Sequence, residues 1–228
     1  MTAPLTLISS MATRQILNDL AADYERRTGQ AVKVESVGGV DAAKRVQAGE
    51  VFDLVVLAAN AIDQLATAGK TAGPRKDLVT SGVAVAVKAG APRPAIDSEE
   101  AVKQAVLGAQ SLAYSTGPSG VQLAKLFERW GVAAEIQPRI VTAPPGVPVG
   151  SLVAKGEVAL GFQQLSEMLN LEGIDILGPL PDAIQIVTTF SGAVAATSTR
   201  AAEAQAVLDF MAGPEAAGAI RRQGMEPA

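Results

Sequence analysis

Apolar positions along this chain change period again and again, and each change marks a strand giving way to a helix. Leu5-Thr6-Leu7-Ile8 alternates as a β-strand would, and the spacing of Ile16, Leu17, Leu20, Ala21 and Tyr24 predicts a helix with one buried face. Gly29 closes that helix. Ala31 to Ser36 alternates again as a second strand, and a helix carrying Ala42, Ala43 and Val46 follows, ending near Gly49. The continuous apolar run Phe52 to Leu57 suits a parallel strand covered on both faces, and Ile62, Leu65 and Ala66 mark a third helix. This βαβαβα order predicts an α/β architecture with right-handed crossovers.

Beyond Gly69 the pattern loosens. Lys70 to Lys76 reads as a loop rich in glycine, proline and charge; Ser81 to Lys88 reads as a long strand, and a proline-studded link, Gly90 to Pro94, follows it. The pattern then predicts a helix over Ile96 to Leu107, a strand over Ser111 to Tyr114, and a helix with Leu123, Ala124, Leu126, Phe127 and Trp130 on one face. Short strands are expected at Pro138 to Val141, Val158 to Phe162 and Ile174 to Pro179, with helical turns at Ser151 to Ala154 and from Gln163 to Glu167. Ile184 to Phe190 and Ser191 to Ala196 are extended enough to carry the chain back, and two tail helices are expected, Ala201 to Ala212 and Pro214 to Gln223. The whole predicts two lobes, residues 1–80 with 192–228 and residues 81–191, each a mostly parallel sheet flanked by helices. Crossings near 80–88 and 186–196 would leave a ligand cleft between the lobes.

The turns between strand and helix carry the candidate chemistry. The first few N–H groups of a helix have no partner within it, and with the positive end of the helix dipole they form an anion site. Ser9-Ser10-Met11-Ala12-Thr13-Arg14 crowds three hydroxyls and a guanidinium into one such turn. Plain capping by Ser10 or Thr13 beside a solvated Arg14 would explain the same residues. Val37-Gly38-Gly39-Val40-Asp41 is a second junction, its glycines allowing close backbone approach and Asp41 placed to cap. The third, Ser115-Thr116-Gly117-Pro118-Ser119-Gly120, lacks both the Gly-Lys-Ser/Thr end of a P-loop and the G-x-G-x-x-G spacing. Thr142 to Gly150 is a proline-stiffened turn opening another helix.

Composition narrows the chemistry by subtraction. The 228 residues are 48% hydrophobic, with a mean hydropathy of +0.25, enough for a large core. A formal charge of −4 without a dense basic cluster argues against nucleic acid and anionic membranes, and only 4% aromatic residues argue against stacking platforms. Cysteine and histidine are absent, which removes thiolate nucleophiles, imidazole acid–base schemes and the usual zinc and iron–sulfur ligands. Any catalysis falls to Asp, Glu, Lys, Arg, Tyr or hydroxyls, and no cofactor or metal is expected. No run approaches a membrane span. The first strand starts almost at Met1, so the chain is expected to be cytoplasmic as written, or periplasmic if a leader has been removed.

Asp53-Leu54-Val55-Val56 after Ala48-Gly49, then Gly156 to Gly161, then Leu208 to Ala217, resembles the molybdate-binding-protein branch of the type II periplasmic binding proteins along essentially the whole chain. The resemblance implies two α/β lobes with an anion held between them. It also implies serine hydroxyls at the first two junctions and a tyrosine after the late strand. Those positions fall here on Ala12, on Gly38 or Gly39, and on Gln164, while Ser119 and Gly146 stand where backbone amides serve. The distinctive oxyanion side chains are therefore missing, and Arg14, suited to hold a planar carboxylate bidentately, is added.

A small polycarboxylate becomes the expected ligand, bound by Ser9, Ser10, Thr13, Arg14, Gly38, Gly39, Ser115, Thr116, Ser119, Gly146, Gln163 and Gln164. The same branch includes, by resemblance, aconitate isomerase-like enzymes, which shift a proton on an unsaturated tricarboxylate. Candidate bases for such a shift are Lys44, Tyr114 and Glu35, with Asp41 and Glu167 also in view. The alternative is a binding protein that delivers a carboxylate or oxyanion to an ABC transporter permease without chemistry.

Overall fold

A computed structural model of the chain describes residues 3–143 and 146–228. The chain opens with β1 (Leu5–Ser10), a 3-10 turn (Met11–Thr13), α1 (Arg14–Thr28), β2 (Val32–Val37), α2 (Gly39–Gln47), β3 (Leu54–Ala58) and α3 (Ala59–Thr67). The long strand β4 (Thr71–Lys88) leads to α4 (Glu99–Gly108), β5 (Leu112–Tyr114), α5 (Pro118–Arg129), α6 (Ala133–Ile136), α7 (Val149–Lys155), β6 (Leu160–Gln164), α8 (Leu165–Met168) and β7 (Ile174–Pro179). β8 (Val187–Ala195) carries the chain back to α9 (Ala201–Met211), α10 (Ala217–Arg222) and β9 (Glu226–Pro227). Two compact units result: Met1–Ser81 with Thr188–Ala228, and Gly82–Val187. Those divisions fall inside β4 and β8, where the sequence pattern put them at 80/81 and 191/192.

In the first unit β1 lies between β2 and β3, parallel to both, in register from Leu5↔Val32 to Ser10↔Val37 and from Leu7↔Leu54 to Ser9↔Val56. β8 runs antiparallel along β3, and β9 pairs with β4 at Val79 and Thr80. Every residue of β3 is buried because both faces of the sheet are covered. On one side Ile16, Leu17, Leu20 and Tyr24 of α1 pack with Val207, Leu208 and Met211 of α9. On the other, Val46 of α2 and Ile62 of α3 pack against Ile8 and Val55.

In the second unit β5 is parallel to β6, while β4 runs antiparallel to both β6 and β7. Leu123, Leu126 and Phe127 of α5 cover one face with Val85 and Phe162. Val149, Leu152 and Val153 of α7 cover Ala113 on the other. Gly161 lets α7 lie this close, since a Cβ there would come within 2.5 Å of Val153 Cγ2. Both sheets are thus mixed rather than mostly parallel, because the two long connecting strands return against the direction of the βα repeats.

Local departures from the sequence pattern have local causes. Lys70 to Lys76 is not a loop, since β4 already starts at Thr71 and Pro74 sits in its exposed early part. Pro138 lies in a 3-10 turn (Gln137–Arg139), and only Ile140 touches the sheet, as a single parallel bridge to Leu112. Gln163 and Gln164 end β6 instead of starting the next helix, because they pair with Ala84 and Val83 of β4. Of the proline-stiffened turn, Pro144 and Pro145 lie outside the described residues.

Candidate functional site

Because β1 and β2 pair in register to their last residues, the Ser9-Ser10 turn and the Val37-Gly38-Gly39 turn emerge side by side at the carboxyl edge of the first unit's sheet. Such edges are where open α/β sheets bind ligands. Ser9 and Ser36 pair their hydroxyls at 2.7 Å, and Thr13 Oγ1 donates to the Ser10 carbonyl at 3.1 Å, so both side chains are committed inside the protein. Ser10 differs. Its hydroxyl is buried without a hydrogen-bond partner among the described residues, and it does not cap the helical turn it precedes. Ser98 shows what capping looks like in this fold: its Oγ accepts the Ala101 N–H at 3.2 Å at the start of α4.

An unmet buried hydroxyl costs about 1–3 kcal/mol, which a bound hydrogen-bond partner offsets. Beside it, α2 begins from Gly38 with no side-chain cap, and a Cβ on Gly39 would stand 3.5 Å from that of Ser10. Arg14, exposed at the first position of α1, makes no ion pair among the described residues.

The second unit repeats the arrangement. Tyr114, the last residue of β5, lies opposite Phe162, two residues before the end of β6, and α5 begins from Gly117 with no side-chain cap. Ser119, buried, shares a 3.1 Å hydrogen bond with Ser115, while Thr116 is exposed. Gly120 is required here. A Cβ at that position would lie 1.5 Å from the Ser115 carbonyl oxygen, so only glycine lets the helix start tucked under its own turn. Gly146 is exposed in the turn before α7.

At the end of β6 both glutamines are buried. Gln163 Oε1 accepts the Gly150 N–H at 3.1 Å, and its Nε2 donates to Glu167 Oε2 at 2.8 Å. Burial pushes the Glu167 carboxyl up to about 7, against a smaller lowering by the Gln163 hydrogen bond.

The three sequence-derived bases fare less well. Glu35 is on the surface in an ion pair with Arg45, which also holds Glu50. Lys44 and Asp41 are both exposed on α2 and make no ion pair with each other. Tyr114 packs its ring edge-on against Phe127 at 5.8 Å, and burial raises its phenol, the wrong direction for a base at neutral pH. Asp53, part of the family-like motif, is a structural latch: it accepts from Thr6 N and from the Ser198 hydroxyl. Burial would raise its carboxyl, but the bonds from Ser198 and Thr6 outweigh that and lower it.

Sequence reasoning placed Glu167 among the possible bases without a reason to prefer it. The signal was the four-residue spacing from Gln163 to Glu167, visible only once the strand was known to end at Gln164. Among the described residues no three carboxylates converge as a metal site would require, and no helix is long and apolar enough to cross a membrane.

Mixed sheets flanked by helices, with helix N-termini and hydroxyls gathered at the strand ends, define a two-unit α/β protein. Residues 5–226 match the bacterial extracellular solute-binding protein family, and the chain belongs to it. It is similar to an aconitate isomerase from a Pseudomonas species, with 38% identity over 230 residues, 98% of this chain and 87% of that protein. Among solved structures it is similar to the periplasmic molybdate-binding protein of Azotobacter vinelandii, at 21% identity and a TM-score of 0.80 over 97% of this chain and 98% of that one. It is also similar to a sulfate-binding protein of Mycobacterium tuberculosis, at 17% identity and a TM-score of 0.81 over 100% of this chain and 88% of that one. Those two likenesses establish the periplasmic-binding-protein fold.

Proposed function

We propose that this protein is an isomerase that shifts a proton along a small unsaturated tricarboxylate, interconverting cis- and trans-aconitate without a cofactor. The observation that carries this reading is the 38% identity to an aconitate isomerase over 98% of the chain. The chemistry of the site agrees with it. Ser10, the α2 amides at Gly38 and Gly39, and Arg14 suit a carboxylate. Aconitate carries a CH2 group flanked by a carboxylate and a double bond. Hydrogen bonds and positive charge on its carboxylates acidify that CH2 by spreading the negative charge that forms when its proton leaves. The shift is redox-neutral, so it calls for no electron acceptor.

The family match favours a second reading, a binding protein that closes on a carboxylate or oxyanion and performs no chemistry. One experiment separates the two. Purified protein is incubated in D2O with cis- or trans-aconitate and followed by NMR. Interconversion with deuterium uptake at carbon establishes the isomerase. Thermal stabilisation by aconitate or molybdate without turnover establishes the binding protein and ends the enzymatic reading.

A further inference from the structure

Gln163 has one carbonyl oxygen and one NH2 group, and its neighbours dictate which faces which. The Gly150 backbone N–H is only a donor, so Oε1 must face it, at 3.1 Å. Nε2 is then left to point at Glu167 and donates to Oε2 at 2.8 Å. A carboxyl oxygen that accepts this bond does not also carry the acid proton toward the same donor. The carbonyl oxygen of a carboxylic acid is the better acceptor, so this bond favours Oε2 as the carbonyl oxygen and Oε1 as the proton's place when Glu167 is protonated. Oε1 has no hydrogen-bond partner among the described residues, and it is not sealed from its surroundings as Ser10 Oγ is. Oε1 is thus open to its surroundings while Oε2 is tied.

Glu167 is moreover a half-buried carboxyl that makes no ion pair among the described residues, in the first turn of α8, three residues after the buried Gln164 that ends β6. Burial raises its carboxyl, and the Gln163 amide acts against that.

We propose that Glu167 carries the proton of the allylic shift on Oε1, with Gln163 as the positioning residue that fixes which oxygen does so; the proposal rests on the isomerase reading above. The ionised carboxylate takes a proton from the CH2 carbon through Oε1. The C–H electron pair spreads over the three-carbon allyl unit and its carboxylates, and the double bond moves one position. Oε1 then returns a proton to the other end carbon, which closes the new C–H bond and regenerates the carboxylate. Nothing is oxidised or reduced. A carboxyl that titrates near neutrality suits both halves of this cycle, since it is neither too weak to accept the proton nor too strong a base to return it.

The test compares the wild type with Glu167→Gln, Glu167→Asp and Gln163→Leu, using NMR-followed turnover and deuterium uptake with cis- and trans-aconitate, and aconitate-induced thermal shift. Glu167→Gln is expected to lose roughly 10²–10⁴-fold in kcat and in deuterium uptake while its aconitate-induced thermal shift stays near wild type. Gln163→Leu removes the bond that holds the Glu167 titration down, so the acid limb of kcat/KM is expected to move to higher pH by roughly half a unit to one unit. A purely structural role for Gln163 would lower the rate without moving that limb.

A wild type that turns over beside a Glu167→Gln variant keeping a tenth or more of its rate overturns the proposal and leaves the isomerase reading standing. A wild type that fails to turn over removes the isomerase reading and the proposal with it. If Glu167→Gln does not fold, the Gln163→Leu limb decides: a shift supports Glu167 as the carrier, and an unmoved limb overturns it.

Discussion

Ser9 and Ser36 join their hydroxyls at 2.7 Å across the paired ends of β1 and β2, and that bond leaves Ser10, the next residue, as the hydroxyl still unmet. Two adjacent serines with the same chemistry therefore have opposite duties. Ser9 holds the two strand ends together, and Ser10 waits beside the open start of α2. The pleat makes this division, since successive side chains of a strand leave on opposite faces.

Replacing these serines one at a time is expected to separate stability from binding. Ser10→Ala removes no side-chain hydrogen bond among the described residues, so unfolding in denaturant should change by less than about 0.5 kcal/mol or shift toward greater stability. Its aconitate affinity should fall roughly tenfold or more, the worth of a hydrogen bond to a charged group. Ser9→Ala should instead cost about 1 kcal/mol of stability by orphaning Ser36. Calorimetric binding and denaturant titration of both variants check the contrast.

Arg14 is exposed and makes no ion pair among the described residues, so Arg14→Ala should leave stability within about 0.5 kcal/mol of the wild type. Carboxylate binding should be lost, with Arg14→Lys restoring only part of it because a lysine cannot present the planar fork. An unchanged dissociation constant in Arg14→Ala would place the guanidinium outside the site.

Gly120→Ala is expected to destabilise by more than about 3 kcal/mol, since the added methyl would occupy the Ser115 carbonyl and force α5 to move. Gly39→Ala meets only ordinary contact at 3.5 Å and should fold normally. Thermal melts of the two variants measure the difference, and equal melting temperatures would contradict the packing at the third junction.

Stability should also depend on pH through Glu167. Its folded carboxyl titrates near 7, against 4.5 for the unperturbed group, so between those values the folded protein binds more protons than the unfolded one. This contribution is fully present below about pH 4.5, declines as pH rises through 7, and amounts to on the order of 3 kcal/mol. In Glu167→Gln the decline over that window should vanish, which denaturant unfolding at pH 5 and pH 8 will show. Asp53 acts in the opposite sense: its carboxyl is lowered, so its contribution is lost as the solution becomes acidic.

The sequence determined on its own the order of elements, the α/β class and the strand-to-helix turns as places for an anion. These features are written locally, in hydrophobic periods and in the glycines and hydroxyls between them. Periodicity misplaced Lys70 to Lys76, Pro138 to Val141 and the two glutamines, because a strand's extent depends on partners far along the chain: β8 beside β4, Leu112 for the single bridge at Ile140, and β4 for Gln163 and Gln164. Within the site, the pattern offered Ser9, Ser10 and Thr13 as equals and Glu35, Lys44 and Tyr114 as bases. Only the tertiary structure separated them. Hydroxyl pairing, ion pairing and burial are decided by residues such as Ser36, Arg45 and Phe127, tens of positions away or on a neighbouring element, and no local pattern records which side chain they leave unmet.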